Sequence, residues 1–221
     1  MYEEDREEMV QSLKRRAYLK SPEVIRAFQN VPREEFVPSR MKEEAYADRP
    51  LPIGQGQTIS APSMIAIMLE ALEVKKENKI LEIGTGSGYN AALLAELAGE
   101  EGEVYTIERL ESVSKTGRKN LERTGYDRVE VVVGDGTRGY QEEAPWDRIL
   151  VTACAPEISE PFVNQTETGG RIAVPVGSHY MSQTLLIVEK TGENETEVQR
   201  HGGCAFVPLV GEHGWDEERT R

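Results

Sequence analysis

The sequence predicts an α/β protein with a doubly wound, mostly parallel sheet, N-terminal helices and a C-terminal antiparallel hairpin. Three observations carry this. Short apolar strands alternate with apolar-faced helices from residue 79 to about 175. A glycine-rich turn joins the first of those strands to its helix. Two further strands, near 184–188 and 197–200, follow without a helix between them, as a hairpin requires.

The elements follow in order. Met9, Leu13 and Ala17 form one apolar stripe among charges, a modest amphipathic helix. Ser21-Pro22-Glu23 supplies an N-cap, a first-turn proline and a dipole-favoured acid for a second helix. That helix turns Val24, Ile25 and Phe28 inward and ends near Val31-Pro32. The stretch from Arg33 to Gly56 reads as irregular, with three prolines and the turn-prone Gly54-Gln55-Gly56, and loops this long are usually functional. Ser60-Ala61-Pro62 starts a third helix, with Met64, Ile65, Met68, Leu69 and Leu72 on its apolar face. Strands are expected at 79–83, 104–107, 129–133, 148–151 and 171–174. Helices from Tyr89 and Leu110 are closed by Gly99 and Gly125. The charged tail from Asp216 to Arg221 is expected to fray.

At 221 residues and 38% hydrophobic content the chain can bury a core. Its 26 basic and 39 acidic residues leave a net charge of -13, which argues against a nucleic-acid partner. No apolar run is long enough for a transmembrane helix, so no membrane partner is expected. The acidic start, Met1 to Glu8, is unlike a signal peptide. Two cysteines, Cys154 and Cys204, make no disulfide framework, and the cytoplasm is the expected compartment. His179, His201 and His213 lack ligand spacing, so no metal site is expected. Trp146 and Trp215 read as packing or surface aromatics.

The strongest local signal is Leu81-Glu82-Ile83-Gly84-Thr85-Gly86-Ser87-Gly88 between strand and helix. Glycines there let the backbone approach a ligand, and N–H groups at the helix start face it. Glu108 stands twenty residues beyond Gly88 at the end of the next strand, where a carboxylate can accept both hydroxyls of a ribose. Asp135, in Gly134-Asp135-Gly136, follows the third strand on the same edge and can pair with an adenine edge. The turn holds no Lys or Arg, so it lacks the anion site a dinucleotide pyrophosphate wants. This is the profile of a sulfonium nucleoside, S-adenosyl-L-methionine. Glycines serving only a tight turn, with solvated acids, are the competing explanation.

Five segments then occur in a telling order: Val31 to Pro38, Leu51 to Pro62 with Gly56-Gln57-Thr58-Ile59-Ser60, Leu81 to Tyr89, Gly134 to Gly136, and Phe206 to Val210. Together they resemble the protein-L-isoaspartate O-methyltransferase family over roughly residues 9 to 212. The Gly-Gln-Thr-Ile-Ser block discriminates, because the glycine motif is common among adenosylmethionine enzymes. The resemblance implies a seven-stranded, Rossmann-like class I methyltransferase sheet. It also implies methyl transfer to the α-carboxylate of L-isoaspartyl residues in damaged peptides and proteins. S-adenosyl-L-homocysteine is then the product, and repair proceeds through the ester and a succinimide; D-aspartyl activity stays open. It puts Ser60 at the active-site position, with Thr58, Ile59, Val207 and Leu209 around the substrate. Glu82, Gly84, Thr85, Gly86, Gly88, Glu108, Asp135, Gly136 and Thr152 fall around the cofactor.

Ser63 departs from the aromatic or histidine that relatives often carry there, and Cys154 is a variation in the small-residue turn Thr152 to Pro156. The expected organisation is one monomeric domain: residues 1–60 as N-terminal helices and substrate loop, 61–215 as cofactor core, 216–221 as tail.

The chemistry suits these residue types. A carboxylate nucleophile is ionised at neutral pH and needs no general base. The protein's task is to align it and exclude water, and a hydroxyl orients it without the blunting effect of a direct arginine clamp. Ser60 is therefore expected to position the substrate, although Ser60-Ala61-Pro62 is equally an ordinary helix N-cap. Two other classes share the fold: a small-molecule or RNA methyltransferase, disfavoured for RNA by the acidity, and a non-catalytic binding module. Cys154 lacks the preceding proline of a cytosine methyltransferase nucleophile and reads as a small buried thiol.

Overall fold

The computed structural model describes residues 2–178, 182–193 and 195–217. Helices α1 (Tyr2–Arg15) and α2 (Pro22–Asn30) come first, then 3-10 turns at Arg33–Phe36 and Ser39–Glu44. Strands β1 (Leu51–Gly54) and β2 (Gln57–Ile59) form a small antiparallel ribbon ahead of α3 (Pro62–Leu72). The alternating part is β3 (Lys79–Ile83), α4 (Tyr89–Ala98), β4 (Glu103–Glu108), α5 (Glu111–Arg123), β5 (Glu130–Val133), β6 (Trp146–Val151), α6 (Glu160–Gln165) and β7 (Thr166–Gly177). The hairpin strands β8 (Gln183–Lys190) and β9 (Thr196–Cys204) close the order.

Seven strands make one sheet in the order β5-β4-β3-β6-β7-β8-β9. The pairs from β5 through β7 are parallel; β7–β8 and β8–β9 are antiparallel, as the missing helix between the last two strands predicted. The chain leaves β3 toward β4 and β5, then returns to add β6 on the other side of β3. That reversal splays successive connections apart and opens a crevice at the carboxyl ends of β3 and β6.

One core layer packs α3 and α4 on the sheet, α2 on those two helices and α1 on α2, through residues such as Phe28, Leu69, Ile80 and Leu94; the opposite layer gathers Leu81, Ile83, Trp146, Phe162 and Leu209. Alternation along β3 sends Leu81 and Ile83 to one face and Ile80 to the other.

Three local expectations change. Ala17 lies beyond the end of α1 with φ 58°, and Val10 joins Met9 and Leu13 on the buried stripe instead. The Arg33–Gly56 stretch is not plain loop: Gly54, Gln55 and Gly56, all at positive φ, turn β1 into β2 so that Leu51 faces Ile59. The six-residue α6 was not apparent from periodicity, being under two turns long. Of the expected frayed tail, residues 218–221 lie outside the described residues, as does His179.

Candidate active site

The crevice is a cavity of about 380 Å³, within the usual range for small-ligand sites. The turn Gly84–Ser87 after β3 makes its floor, Glu108 to Leu110 after β4 one side, and Thr152 and Ala153 after β6 the other. Thr58, Ile59 and Ser60, from the end of β2 and the approach to α3, form the facing wall. Val207 and Leu209 close it from the C-terminal segment, which Cys154 pins by Cys154 N–H to Val207 O (2.7 Å) and Leu209 N–H to Cys154 O (2.8 Å). The tertiary structure thus brings together segments more than a hundred residues apart.

Gly84 sits at φ +100°, and a Cβ there would lie 2.4 Å from Thr152 Oγ1. Thr152 Oγ1 in turn donates to the carbonyls of Ile83 and Gly84 at 2.9 and 3.0 Å. Gly84 is bare because a side chain there would collide with Thr152. Glu108 is 7% exposed; one carboxylate oxygen accepts Gly86 N–H (3.2 Å) and the other Leu110 N–H (3.0 Å). A carboxylate has about four lone-pair sites, so each oxygen keeps capacity for a hydroxyl. Gly136 also lines the cavity, and a Cβ on it would reach 2.7 Å from Ile83 Cγ2.

Three expected residues stand off the wall. Glu82 shares the face of Ile80, is fully buried, and accepts Thr106 Oγ1 at 2.6 Å; Thr106 lies 2.8 Å from Thr85 Oγ1. Its link to the cavity runs through the Thr85 turn, not through direct exposure. Burial pushes its carboxyl up to about 8. Gly88 begins α4 at φ +87°, where a Cβ would meet Gly117 O and Leu121 at 3.0 Å, so it serves helix packing. Asp135 faces a second, more open cavity of about 680 Å³ that shares Arg109, Val210 and Glu217 with the first. Its carboxylate accepts Thr137 N–H, Thr137 Oγ1 and Glu212 N–H; burial would raise it, but these donors hold it below the ordinary carboxylate value.

The N-cap alternative for Ser60 fails on geometry. The helix cap position is Ala61, and the Ser63 N–H is taken at 2.9 Å by Asp48, itself bonded to Arg16 at 2.5 Å. Burial opposes ionisation of Asp48, but Ser63 and Arg16 outweigh it and keep the carboxyl low. Ser60 Oγ has no hydrogen-bond partner among the described residues, while its carbonyl accepts Arg33 Nη2 at 2.7 Å. Sequence reading missed both Asp48 and Arg33. Arg33 at least carried a signal: it is the one basic residue of the proline-bounded block Val31 to Pro38.

Elsewhere, Trp146 is fully buried and Trp215 donates to Cys154 O, both packing roles. Cys154 is buried, and burial with Cys204 nearby pushes its thiol up to about 11, which leaves it unreactive at neutral pH. No cluster that could hold a metal occurs among the described residues.

A mostly parallel sheet with this strand order and hairpin, and a glycine-rich turn after β3, define a class I adenosylmethionine-dependent methyltransferase. The chain belongs to the protein-L-isoaspartate(D-aspartate) O-methyltransferase family, which matches residues 4–214. It is 52% identical over 216 residues to the protein-L-isoaspartate O-methyltransferase of Methanopyrus kandleri, covering 97% of this chain and 95% of that one. Against the Thermococcus sibiricus enzyme of the same name it is 54% identical, covering 95% of each. A solved protein-L-isoaspartate O-methyltransferase superposes with TM-score 0.85 at 31% identity, over 95% of this chain and 67% of that one. The Plasmodium falciparum protein assigned to that activity, solved with S-adenosyl-L-homocysteine, gives 0.82 at 26% identity, over 92% of this chain and 97% of that one.

Proposed function

We propose that the chain transfers a methyl group from S-adenosyl-L-methionine to the α-carboxylate of L-isoaspartyl residues in damaged peptides and proteins. Family membership carries the reaction class. The observation that carries the assignment of the site is the unengaged Ser60 hydroxyl on the wall facing the glycine floor.

Bound S-adenosyl-L-methionine supplies a sulfonium methyl, which passes to a substrate carboxylate oxygen and leaves S-adenosyl-L-homocysteine. The residues present fit that ligand: Gly84 and Gly86 present bare backbone on the floor, and Glu108 keeps open lone pairs for a ribose. Gly84, Thr85, Gly86 and Thr152 would hold the amino-acid end, Glu108 the ribose, and Gly136 with Asp135 the adenine. Glu82 and Gly88 would act by shaping the turn. Ser60 Oγ donates to the substrate carboxylate and orients one oxygen; Thr58, Ile59, Val207 and Leu209 exclude water around it. No general base is required, and the inert Cys154 is consistent with that.

The setting this reading takes is a single domain, residues 1–221, acting as a monomer in the cytoplasm on damaged proteins and peptides, with neither nucleic acid nor membrane as partner. No helix among the described residues is long and apolar enough to cross a membrane. D-aspartyl residues enter as a second substrate through the family's description.

The test uses methyl-labelled cofactor with an isoaspartyl peptide and its normal aspartyl twin. Base-labile label released as methanol with the isoaspartyl peptide alone is expected. Base-stable label, or equal transfer to both, overturns the reading.

A further inference from the structure

A chain of net charge -13 must attract an acidic group without clamping it. Arg33 is 0% exposed, yet no carboxylate pairs with it among the described residues. Its Nε donates to Ala45 O and its Nη2 to Ser60 O, both at 2.7 Å, and the guanidinium lies 4.9 Å from the centre of the Tyr89 ring. Its Nη1 is buried without a partner, as is the hydroxyl of Tyr89, a residue of the cavity wall. The carboxylates around it are engaged by other cations: Asp48 by Arg16 at 2.5 Å, and Glu34 by Arg6 at 3.9 Å and by the Tyr46 hydroxyl. Asp48 acts on Arg33 through space but is bonded to Arg16, so no carboxylate is paired with the Arg33 charge behind the Ser60 peptide. Burial lowers the Arg33 guanidinium to about 10, so it stays protonated at neutral pH.

We propose that Arg33 is a positioning and charge-selecting residue. It ties the Ser60 main chain to the Ala45 carbonyl and supplies the positive potential that draws a substrate carboxylate to Ser60. Because its Nε and Nη2 are tied to those two carbonyls and its side chain lies outside the cavity lining, it attracts the carboxylate from behind the loop and leaves the oxygen nucleophilic. Such a cation in a low-dielectric wall acts over several ångströms with little screening. The inference rests on the carboxylate-methylating reading above.

The test compares the full chain with its Arg33→Met and Arg33→Lys variants. Each is titrated with an isoaspartyl peptide and with the twin whose α-carboxylate is a neutral carboxamide. Affinity for S-adenosyl-L-homocysteine and thermal unfolding are measured alongside. R33M is expected to bind the acid peptide about tenfold more weakly. Its affinities for the amide twin and for S-adenosyl-L-homocysteine should stay within about twofold, with KM rising more than kcat falls. R33K keeps the charge and should restore the preference for acid over amide to within about threefold of the parent. Equal weakening of both peptides, or unchanged acid binding in R33M, overturns the proposal. If R33M does not fold, R33K decides: a collapsed acid preference overturns it, a retained one supports it. A parent chain that prefers the acid peptide but never methylates it sinks the functional reading alone; a parent with no preference sinks the charge selection.

Discussion

Asp48 Oδ1 accepts the Ser63 N–H at 2.9 Å from fifteen residues upstream, and so caps α3 in place of the serine that the local sequence offers. The arrangement keeps Ser60 Oγ clear of capping duty while its carbonyl is held from the other side by Arg33.

Ser60→Ala should therefore leave stability almost untouched and cut kcat/KM for an isoaspartyl peptide by about 10- to 100-fold, the worth of one hydrogen bond to a charged group. Asp48→Ala should instead lower stability by about 1 kcal/mol, a typical capping loss, with kcat falling as the loop loosens. Asp48→Asn retains an acceptor and should recover most of both. Melting curves beside steady-state kinetics check this; a Ser60→Ala protein destabilised like Asp48→Ala would show that the serine does cap.

Glu108→Ala removes the carboxylate proposed for the ribose. At about 1.5–3 kcal/mol for a hydrogen bond to a charged group, the Kd for S-adenosyl-L-homocysteine should rise at least about tenfold. Titration calorimetry measures it, and an unchanged Kd would place the ribose elsewhere.

Gly84→Ala combines a strained φ of +100° with a Cβ 2.4 Å from Thr152 Oγ1. The expected loss is above about 1 kcal/mol, with weakened cofactor binding. Adding Thr152→Ala removes the close contact but not the backbone strain, so the double variant should recover only part of the stability. Full recovery would mean that the backbone at Gly84 tolerates a side chain freely.

Burial raises the Glu82 carboxyl from 4.5 to about 8, so the folded state holds a proton there that the unfolded chain has released. Between those two values stability must then fall as pH rises, because the unfolded state binds fewer protons. Glu82→Gln should flatten that decline and melt higher than the parent near pH 8, while differing little near pH 4. Parallel melting curves from pH 5 to 9 check the sign.

The apolar runs of the sequence determined the sheet, although β7 extends well beyond its apolar centre at 171–174 into the polar Thr166–Gly170. The floor of the site was equally legible, because glycines at Gly84 and Gly86 and an acid at Glu108 are local demands of a strand-to-helix turn and a strand end. The direction of Glu82 was less so: alternation along β3 sends it into the helix layer, which a motif read as a string does not show. Only the tertiary structure decided who caps α3 and what stands behind Ser60. Asp48 and Arg33 reach their partners across 15 and 27 residues through an irregular segment with no period to read. Hydrogen bonding between such segments depends on where the packed helices leave them, and that is a property of the folded chain rather than of any local run of residues.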